Sequence, residues 1–409
     1  MPKMLSAGGD VDEGRSVHLV HVEPTPSLDL VAAEPALALY IHWPFCVSKC
    51  PYCDFNSHVR SGIDQQAWRD ALLKDLAHEA ALLPGRRLTS IFFGGGTPSL
   101  MESATVGALI EAAGRHWTAT ADLEITLEAN PSSVETERFA DLAAAGVNRV
   151  SLGLQSLDDE ALRFLGRAHS ANEGLAALAT AQRHFGRVSF DLIYALHGQS
   201  AAEWERMLGH ALNFGTDHLS LYQLTIEPGT RFAALHAAGK FEPLDPDLSA
   251  DLFELTAAMT GAAGMPAYEI SNHARPGAES RHNLTYWRYG DYAGIGPGAH
   301  GRRLGQRTVR HRKPENFLKG IARNGHGLVE EAALSPEERA HEALVMGLRL
   351  SEGIDPAALA MRLGVERMVD VDASERLQKL GLLQQTPDRL KVTGPGRLLL
   401  DGILAEIAA

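Results

Sequence analysis

The chain has 409 residues, 45% of them hydrophobic, and a formal net charge of −13. That length exceeds what one compact core usually serves, so a large domain with a smaller appendage is expected. The acidic balance argues against general nucleic-acid binding, which needs a basic footprint. No apolar run approaches the ~18 residues of a membrane span, so any membrane contact would be peripheral.

Residues 1–36 mix Gly, Ser and Pro without periodicity and carry Asp10, Asp12 and Glu13. They read as a disordered tail, with residues 17–22 as its one strand candidate. A mitochondrial presequence would be Arg-rich and poor in acids, and no secretory signal is evident, so the cytoplasm is the expected compartment. Cysteines that must stay reduced point the same way.

From residue 37, short β-branched runs alternate with longer amphipathic stretches. Strands are predicted at 37–42, 88–94, 123–128, 149–154, 188–194 and 218–224. Helices are predicted at 64–83, 103–116, 134–145, 158–165, 172–184 and 201–213, with Asp64 and Ser103 as N-caps and Gly146 and Gly215 as stops. Strands separated by helices indicate a parallel sheet with right-handed crossovers. Six such units fall short of a closed eight-fold barrel. The predicted fold is therefore α/β, an open (β/α)6 partial barrel over residues 37–226, with ligands at the carboxyl ends of its strands.

Between the first strand and the first helix stand the only three cysteines of the chain, Cys46, Cys50 and Cys53, spaced C-x3-C-x2-C. Thiolate sulfur suits iron–sulfur clusters, zinc and Cu(I). Three thiolates on one loop can hold three irons of a cubane [4Fe–4S] cluster. The fourth iron is then open to a small molecule that chelates through an amine and a carboxylate. A zinc site completed by His42, His58 or Asp54 is the competing reading.

The second strand runs into Gly94-Gly95-Gly96-Thr97-Pro98. Three glycines permit positive φ and let bare backbone approach a ligand. No Gly-Lys-Ser/Thr follows, which disfavours a phosphate loop. Glu128, Gln155 and Asp191 stand on the third, fourth and fifth strands, and Arg167 follows in Leu-Gly-Arg-Ala-His. Carboxylates suit ribose hydroxyls and ammonium groups, and an Arg fork suits a carboxylate.

After residue 226 the alternation ends. A helix is predicted at 247–259 and a strand at 267–270, followed by Arg281-His282-Asn283-Leu284-Thr285-Tyr286-Trp287. His282 and Tyr286 share a face if that segment is helical. Imidazole and phenolate are both axial ligands of haem iron, and Trp287 offers a cover for a porphyrin face. The loop 294–298 is not a dinucleotide fingerprint, because Pro297 interrupts it and no βαβ unit surrounds it. Arg302, Arg303, Arg307, Arg310, Arg312 and Lys313 form one basic cluster, read as a solvated hairpin; reception of porphyrin propionates or an acidic partner is the other reading. Residues 227–330 are taken as an extension of the barrel and 331–409 as a small, mainly helical, winged-helix-like domain. Its elements are helices at 336–350, 355–363 and one ending near 380, a strand–turn–strand at 382–392 and a closing helix at 396–407. It lacks a basic recognition stripe, so a lid or docking role is expected rather than DNA binding.

The cysteine spacing resembles the signature of the radical S-adenosylmethionine (SAM) superfamily. The longer string Tyr40-Ile-His-Trp-Pro-Phe-Cys46, with Tyr52 between the last two cysteines, is similar to the coproporphyrinogen-oxidase-like branch. That branch holds the oxygen-independent oxidase HemN and the haem chaperone HemW, and the resemblance runs from about residue 37 to the C-terminus. It implies the partial barrel and a [4Fe–4S] cluster on Cys46, Cys50 and Cys53. It also implies SAM against Tyr40, Tyr52, Gly95, Gly96, Thr97, Glu128, Gln155, Arg167 and Asp191. One-electron reduction of the cluster would cleave SAM to methionine and a 5′-deoxyadenosyl radical. Leu196-His197-Gly198 departs from the Leu-Pro-Gly common among relatives, so the backbone at that rim is expected to differ slightly.

His-Asn-x-x-Tyr-Trp resembles a motif that the HemW group associates with haem, which makes His282 and Tyr286 the candidate haem contacts. The oxidase resembles C-x3-C-x2-C-x-C, and the last of those positions is Phe55 here. The expected function is therefore that of a haem chaperone, carrying haem as cargo to acceptor proteins and served by an electron donor. The alternatives are the oxidase, which decarboxylates porphyrinogen propionates, and a radical SAM enzyme with another substrate.

Overall fold

A computed structural model describes residues 35–408. The predicted strand at 17–22 lies outside the described residues. Six parallel strands form in the predicted order: β1 (Ala36–Trp43), β2 (Arg87–Gly95), β3 (Thr118–Ala129), β4 (Arg149–Gln155), β5 (Arg187–Tyr194) and β6 (His218–Gln223). Parallel strands are covered on both faces, so their sequences are apolar almost throughout. In β1, Leu37, Ala38, Leu39, Ile41 and Trp43 are all fully buried.

The sheet does not stop at six strands. On the far side of β6 comes β7 (Asn272–Ala274), antiparallel. On the other edge β8 (Tyr292–Ile295) lies parallel to β1, pairing Ala38 with Tyr292 through Ile41 with Ile295. The antiparallel run β9 (His300–Arg303), β10 (Gln306–Arg310) and β11 (Leu328–Ala333) continues it to eleven strands. Residues beyond 226, as far as Ala333, thus supply both margins of the sheet. Leu252, Met265, Ile295, Phe317 and Ile321 join the same core as the barrel strands. The strand predicted at 267–270 falls later, at β7, and Ala267 makes only a single bridge to His273.

The helices follow the prediction with local differences. Asp64 caps α1 (Gln65–Leu82) by accepting from the Ala67 N–H at 3.0 Å. Ser103 is instead the first residue of α2 (Ser103–His116), and Glu102 at the cap position makes no side-chain bond. The helix predicted at 134–145 is broken into Ser133–Thr136 and Phe139–Ala144. On either side of the break, Glu135 accepts from the Asn130 N–H at 2.8 Å and Arg138 donates to the Ser99 carbonyl at 3.1 Å. These tertiary bonds override a continuous helix.

The C-terminal part has its own core, built from residues including Leu344, Ile354, Leu377, Leu390 and Ile403. Helices Pro336–Gly347, Pro356–Leu363 and Val371–Lys379 precede a two-stranded ladder of Leu383–Gln385 with Leu390–Val392. The closing helix is split into Gly394–Arg397 and Leu400–Ile407.

The basic cluster is a hairpin, as expected, but only half of it is solvated: Arg307, Arg312 and Lys313 are exposed, and the other three are not. Arg302, Arg303 and Arg310 are 5%, 2% and 0% exposed. α1 presents Asp75 and Glu79, one turn apart, to this hairpin. Arg310 Nε donates to Asp75 Oδ2 at 2.8 Å and its Nη2 to Glu79 Oε1 at 2.7 Å, while Arg303 Nε donates to Glu79 Oε2 at 2.6 Å. Burial of these guanidiniums is tolerated because each is paired and hydrogen-bonded.

Candidate functional site

The chain leaves β1 at the carboxyl edge of the sheet and enters the cysteine loop. A two-residue parallel ladder, Phe45–Cys46 with His58–Val59, closes that loop on itself. The glycine segment after β2 is bonded to it: Gly96 N–H donates to the Trp43 carbonyl at 2.7 Å and Thr97 N–H to that of Phe45 at 2.9 Å. A Cβ on Gly95, whose φ is +113°, would lie 2.6 Å from the His42 ring, and one on Gly96 would lie 2.7 Å from the Phe45 oxygen. Here the absence of a Cβ serves close approach of protein to protein. The 294–298 loop braces the other side. Asn56 Nδ2 donates to the Pro297 carbonyl at 2.9 Å, and a Cβ on Gly296 would fall 2.3 Å from the His42 oxygen.

This scaffold borders a cavity of about 540 Å³, on which all three cysteines open, unpaired and half-buried. Thr97 Oγ1 donates to Cys46 Sγ at 3.4 Å and Arg167 Nη1 to Cys50 Sγ at 3.4 Å. Burial pushes the Cys46 and Cys53 thiols up, with the Thr97 and Ser57 hydroxyls among the opposing bonds. Thiolates in such a place require cations beside them, which is the condition a metal cluster meets. Among the described residues, no three His, Cys, Asp or Glu side chains form a single-ion site. Three cysteines opening on a cavity of this size suit a cluster with one protein ligand at each of three corners.

Tyr52, Gly95, Gly96, Thr97, Glu128, Gln155, Arg167 and Asp191 all line this same cavity. Glu128 Oε2 accepts from the Gly95 N–H at 3.2 Å. Glu128 lies deep but is open to the cavity. Burial first, and then the charge of Asp191, push its carboxyl up to about 8. Asp191 is pushed up to about 6 by burial, against bonds from Ser220 and Ser151. Arg167 also reaches the Asn130 Oδ1 at 2.5 Å and the Gly153 carbonyl at 2.9 Å. Gln155 adopts φ +68°, which turns it back over Gly153. Sequence reasoning missed Asn130, which ties Arg167 to Thr97 through a 3.1 Å bond from its Nδ2; its place just past Glu128 was the available signal. His197 stands exposed, bonded to the Glu242 carbonyl at 2.7 Å, and lines neither this cavity nor its neighbour.

Tyr40 is the one member of that set that does not line this cavity. It faces a second, larger cavity of about 840 Å³, with its hydroxyl 2.9 Å from His42 Nδ1. The two cavities share Phe55, Gly95, Glu128, Ser151 and Asp191 among their walls. Phe55, which stands where the oxidase pattern carries cysteine, is 61% exposed.

The segment with His282 is helical as the shared-face argument required, spanning Arg281–Trp287, with Ser280 capping the Asn283 N–H. His282 and Tyr286 both line the second cavity, ring centroids 6.0 Å apart. His282 Nδ1 bonds Ser90 Oγ at 3.2 Å and its ring stacks on Phe92 at 4.9 Å. Burial lowers its pKa to about 4, so the ring is neutral at pH 7. Among the described residues, Nδ1 is the only ring nitrogen of His282 with a hydrogen-bond partner. The Tyr286 phenol is pushed well up by burial, which disfavours a phenolate. Arg149, His218, Tyr222, Glu269, His300 and Arg349 complete walls that no motif announced.

Comparison with known proteins agrees with this geometry. The model of the radical SAM superfamily matches residues 40–211, and that of the HemN C-terminal domain matches residues 334–399. The bovine radical S-adenosyl methionine domain-containing protein 1, mitochondrial, is 42% identical over 90% of this chain and 87% of its own length. The heme chaperone HemW of Escherichia coli is 39% identical over 90% of this chain and 97% of its own. The solved coproporphyrinogen III oxidase HemN of Escherichia coli, a radical SAM enzyme, superposes with a TM-score of 0.76, 25% identity, and 91% and 90% of the two chains covered. A radical SAM domain implies a [4Fe–4S] cluster and SAM as its cofactors. The chain belongs to the radical SAM superfamily, in the family that contains HemW and radical S-adenosyl methionine domain-containing protein 1.

Proposed function

We propose that this protein is a haem chaperone of the HemW type, which keeps cluster and SAM in the smaller cavity and haem in the larger one. The observation that carries the reading is His282: a neutral imidazole on the wall of an 840 Å³ cavity, its Nδ1 occupied and its Nε2 left to a ligand. The bond to Ser90 fixes the ring orientation, the usual device for a metal-binding histidine. Tyr286 packs beside it on the same wall and, as a neutral phenol, donates or accepts a hydrogen bond. In the smaller cavity Cys46, Cys50 and Cys53 hold the cluster, and Thr97 and Arg167 hydrogen-bond to two of the sulfurs. When bound, cluster and SAM together supply one-electron cleavage of the sulfonium.

Glu128 and Asp191 receive the ribose hydroxyls and ammonium of SAM, Arg167 orients its carboxylate, and Gly95, Gly96, Gln155 and Tyr52 shape the pocket. Tyr40 joins them from the side of the second cavity. Two further proteins are required, an electron donor and a haem acceptor, and a compartment that keeps thiols reduced, which we take to be the cytoplasm.

A second reading, oxygen-independent coproporphyrinogen III oxidase, is favoured by the superposition on HemN. One experiment separates them. Reconstituted protein is titrated with haem and, in parallel, incubated anaerobically with coproporphyrinogen III, SAM and reductant. The chaperone reading expects about one haem per chain and no carbon dioxide. Release of carbon dioxide dependent on SAM would replace it with the oxidase.

A further inference from the structure

The turn after the Pro336–Gly347 helix carries Arg349 into the border between the two cavities, and Arg349 lines both. Its guanidinium carbon lies 5.3 Å from the centre of the Trp287 ring. The turn is held in place: Ser351 N–H donates to the Tyr268 carbonyl at 2.9 Å, Ser351 Oγ bonds the Ala267 carbonyl, and a Cβ on Gly347 would fall 2.2 Å from Ile354.

Among the described residues Arg349 forms no ion pair, although Glu128 and Asp191 line the same cavities. Its Nε has no acceptor among the described residues, and neither has the Nε1 of Trp287 beside it. The nearest acid along the chain, Glu352, is taken by Arg288 at 2.8 Å. Glu269, on the same cavity wall, accepts instead from Ser271 N–H at 2.9 Å and Asn272 Nδ2 at 2.6 Å. A guanidinium held in a fixed pose against an indole, short of acceptors, is a receptor for a planar carboxylate.

We propose that Arg349 is the anchoring residue for a carboxylate of the cargo, a porphyrin propionate, so that the C-terminal region completes the haem cavity. This rests on the haem reading above. Trp287 covers the ring face while Arg349 takes the acid at its edge. The same chemistry would suit the amino-acid carboxylate of SAM, and the test separates the two sources.

Wild-type protein, Arg349→Gln and Arg349→Lys are titrated with haem, with haem dimethyl ester, whose propionates are neutral, and with SAM. A hydrogen bond to a charged group is worth about tenfold to a hundredfold in affinity. Wild type is expected to prefer haem over its ester by about that factor. Arg349→Gln is expected to erase most of the preference, and Arg349→Lys to keep part of it, with SAM affinity unchanged. Equal weakening of haem and ester in Arg349→Gln would overturn the proposal, since it would mean packing on Trp287 rather than anchoring. Selective loss of SAM affinity would overturn it in favour of the other carboxylate. Failure of wild type to bind haem at all would strike the haem reading itself.

Discussion

The two cavities share part of their walls, yet they draw the rest from different parts of the chain. The smaller one takes most of its walls from strand ends that follow one another along the barrel, and its polar groups are bonded in pairs: Thr97 with Cys46, Arg167 with Cys50, Gly95 with Glu128. The larger one draws further walls from segments between Glu269 and Arg349, where His282 uses only Nδ1 in a side-chain hydrogen bond; each cavity holds an unpartnered arginine nitrogen, Arg167 Nε in the smaller and Arg349 Nε on their border. On the chaperone reading, the smaller cavity serves one cofactor pair and the larger takes up and gives up its cargo.

The plainest way to break that contrast is to empty one side. Cys50→Ala should lose iron and acid-labile sulfide altogether while binding haem near the wild-type ratio, by elemental analysis and a haem titration. Next in size is the frame behind the larger cavity. Glu79→Ala leaves Arg303 and Arg310 partly unpaired in the interior, which should cost about 3–5 kcal/mol and show as a lower chemical-denaturation midpoint. Glu79 and Arg310 are wholly buried, so solvent cannot make good the loss.

His282→Ala should weaken haem about tenfold or more with SAM affinity unchanged, the mirror image of the cysteine variant. An equal loss of both ligands would merge the cavities into one site. A finer test uses protons. Burial and the charge of Asp191 push the Glu128 carboxyl up to about 8, so it is largely protonated at pH 7 before SAM arrives, and an arriving ammonium drives that proton off. SAM binding at pH 7 should therefore release about one proton, measured as a buffer-dependent binding enthalpy, and Glu128→Gln should abolish the release.

The smallest effect is the pH response of haem binding. His282 has a folded pKa near 4, below the ordinary value of 6.5, so the ring stays neutral and haem affinity should be flat from pH 8 to about 5. The unfolded chain binds the extra proton between about 6.5 and 4, so this residue lowers stability as pH falls through that window. A haem affinity that dropped steeply near pH 6.5 would place the imidazole in solvent instead.

The legibility of each region follows the same division. The parallel core, the cysteine loop and the acids Glu128 and Asp191 were readable because each lies on a local pattern, a β-branched run or a motif a few residues long. His282 and Tyr286 were readable because a separation of four places two side chains on one helical face. What could not be read depends on pairings across the chain. β8 completes the sheet beside β1 across 254 positions of register, as in Ala38 with Tyr292, and nothing local in Tyr292–Ile295 names its partner. Arg303 and Arg310 looked solvated because their carboxylates sit on α1, more than two hundred residues earlier. Arg349 bears no motif, and its meaning comes only from the cavities it reaches.

The most direct test is a competition on anaerobically reconstituted protein saturated with SAM. Haem is added while cluster absorbance and bound SAM are followed together. Two adjoining cavities predict about one haem per chain with SAM and cluster retained; displacement of SAM in proportion to haem bound would contradict the account.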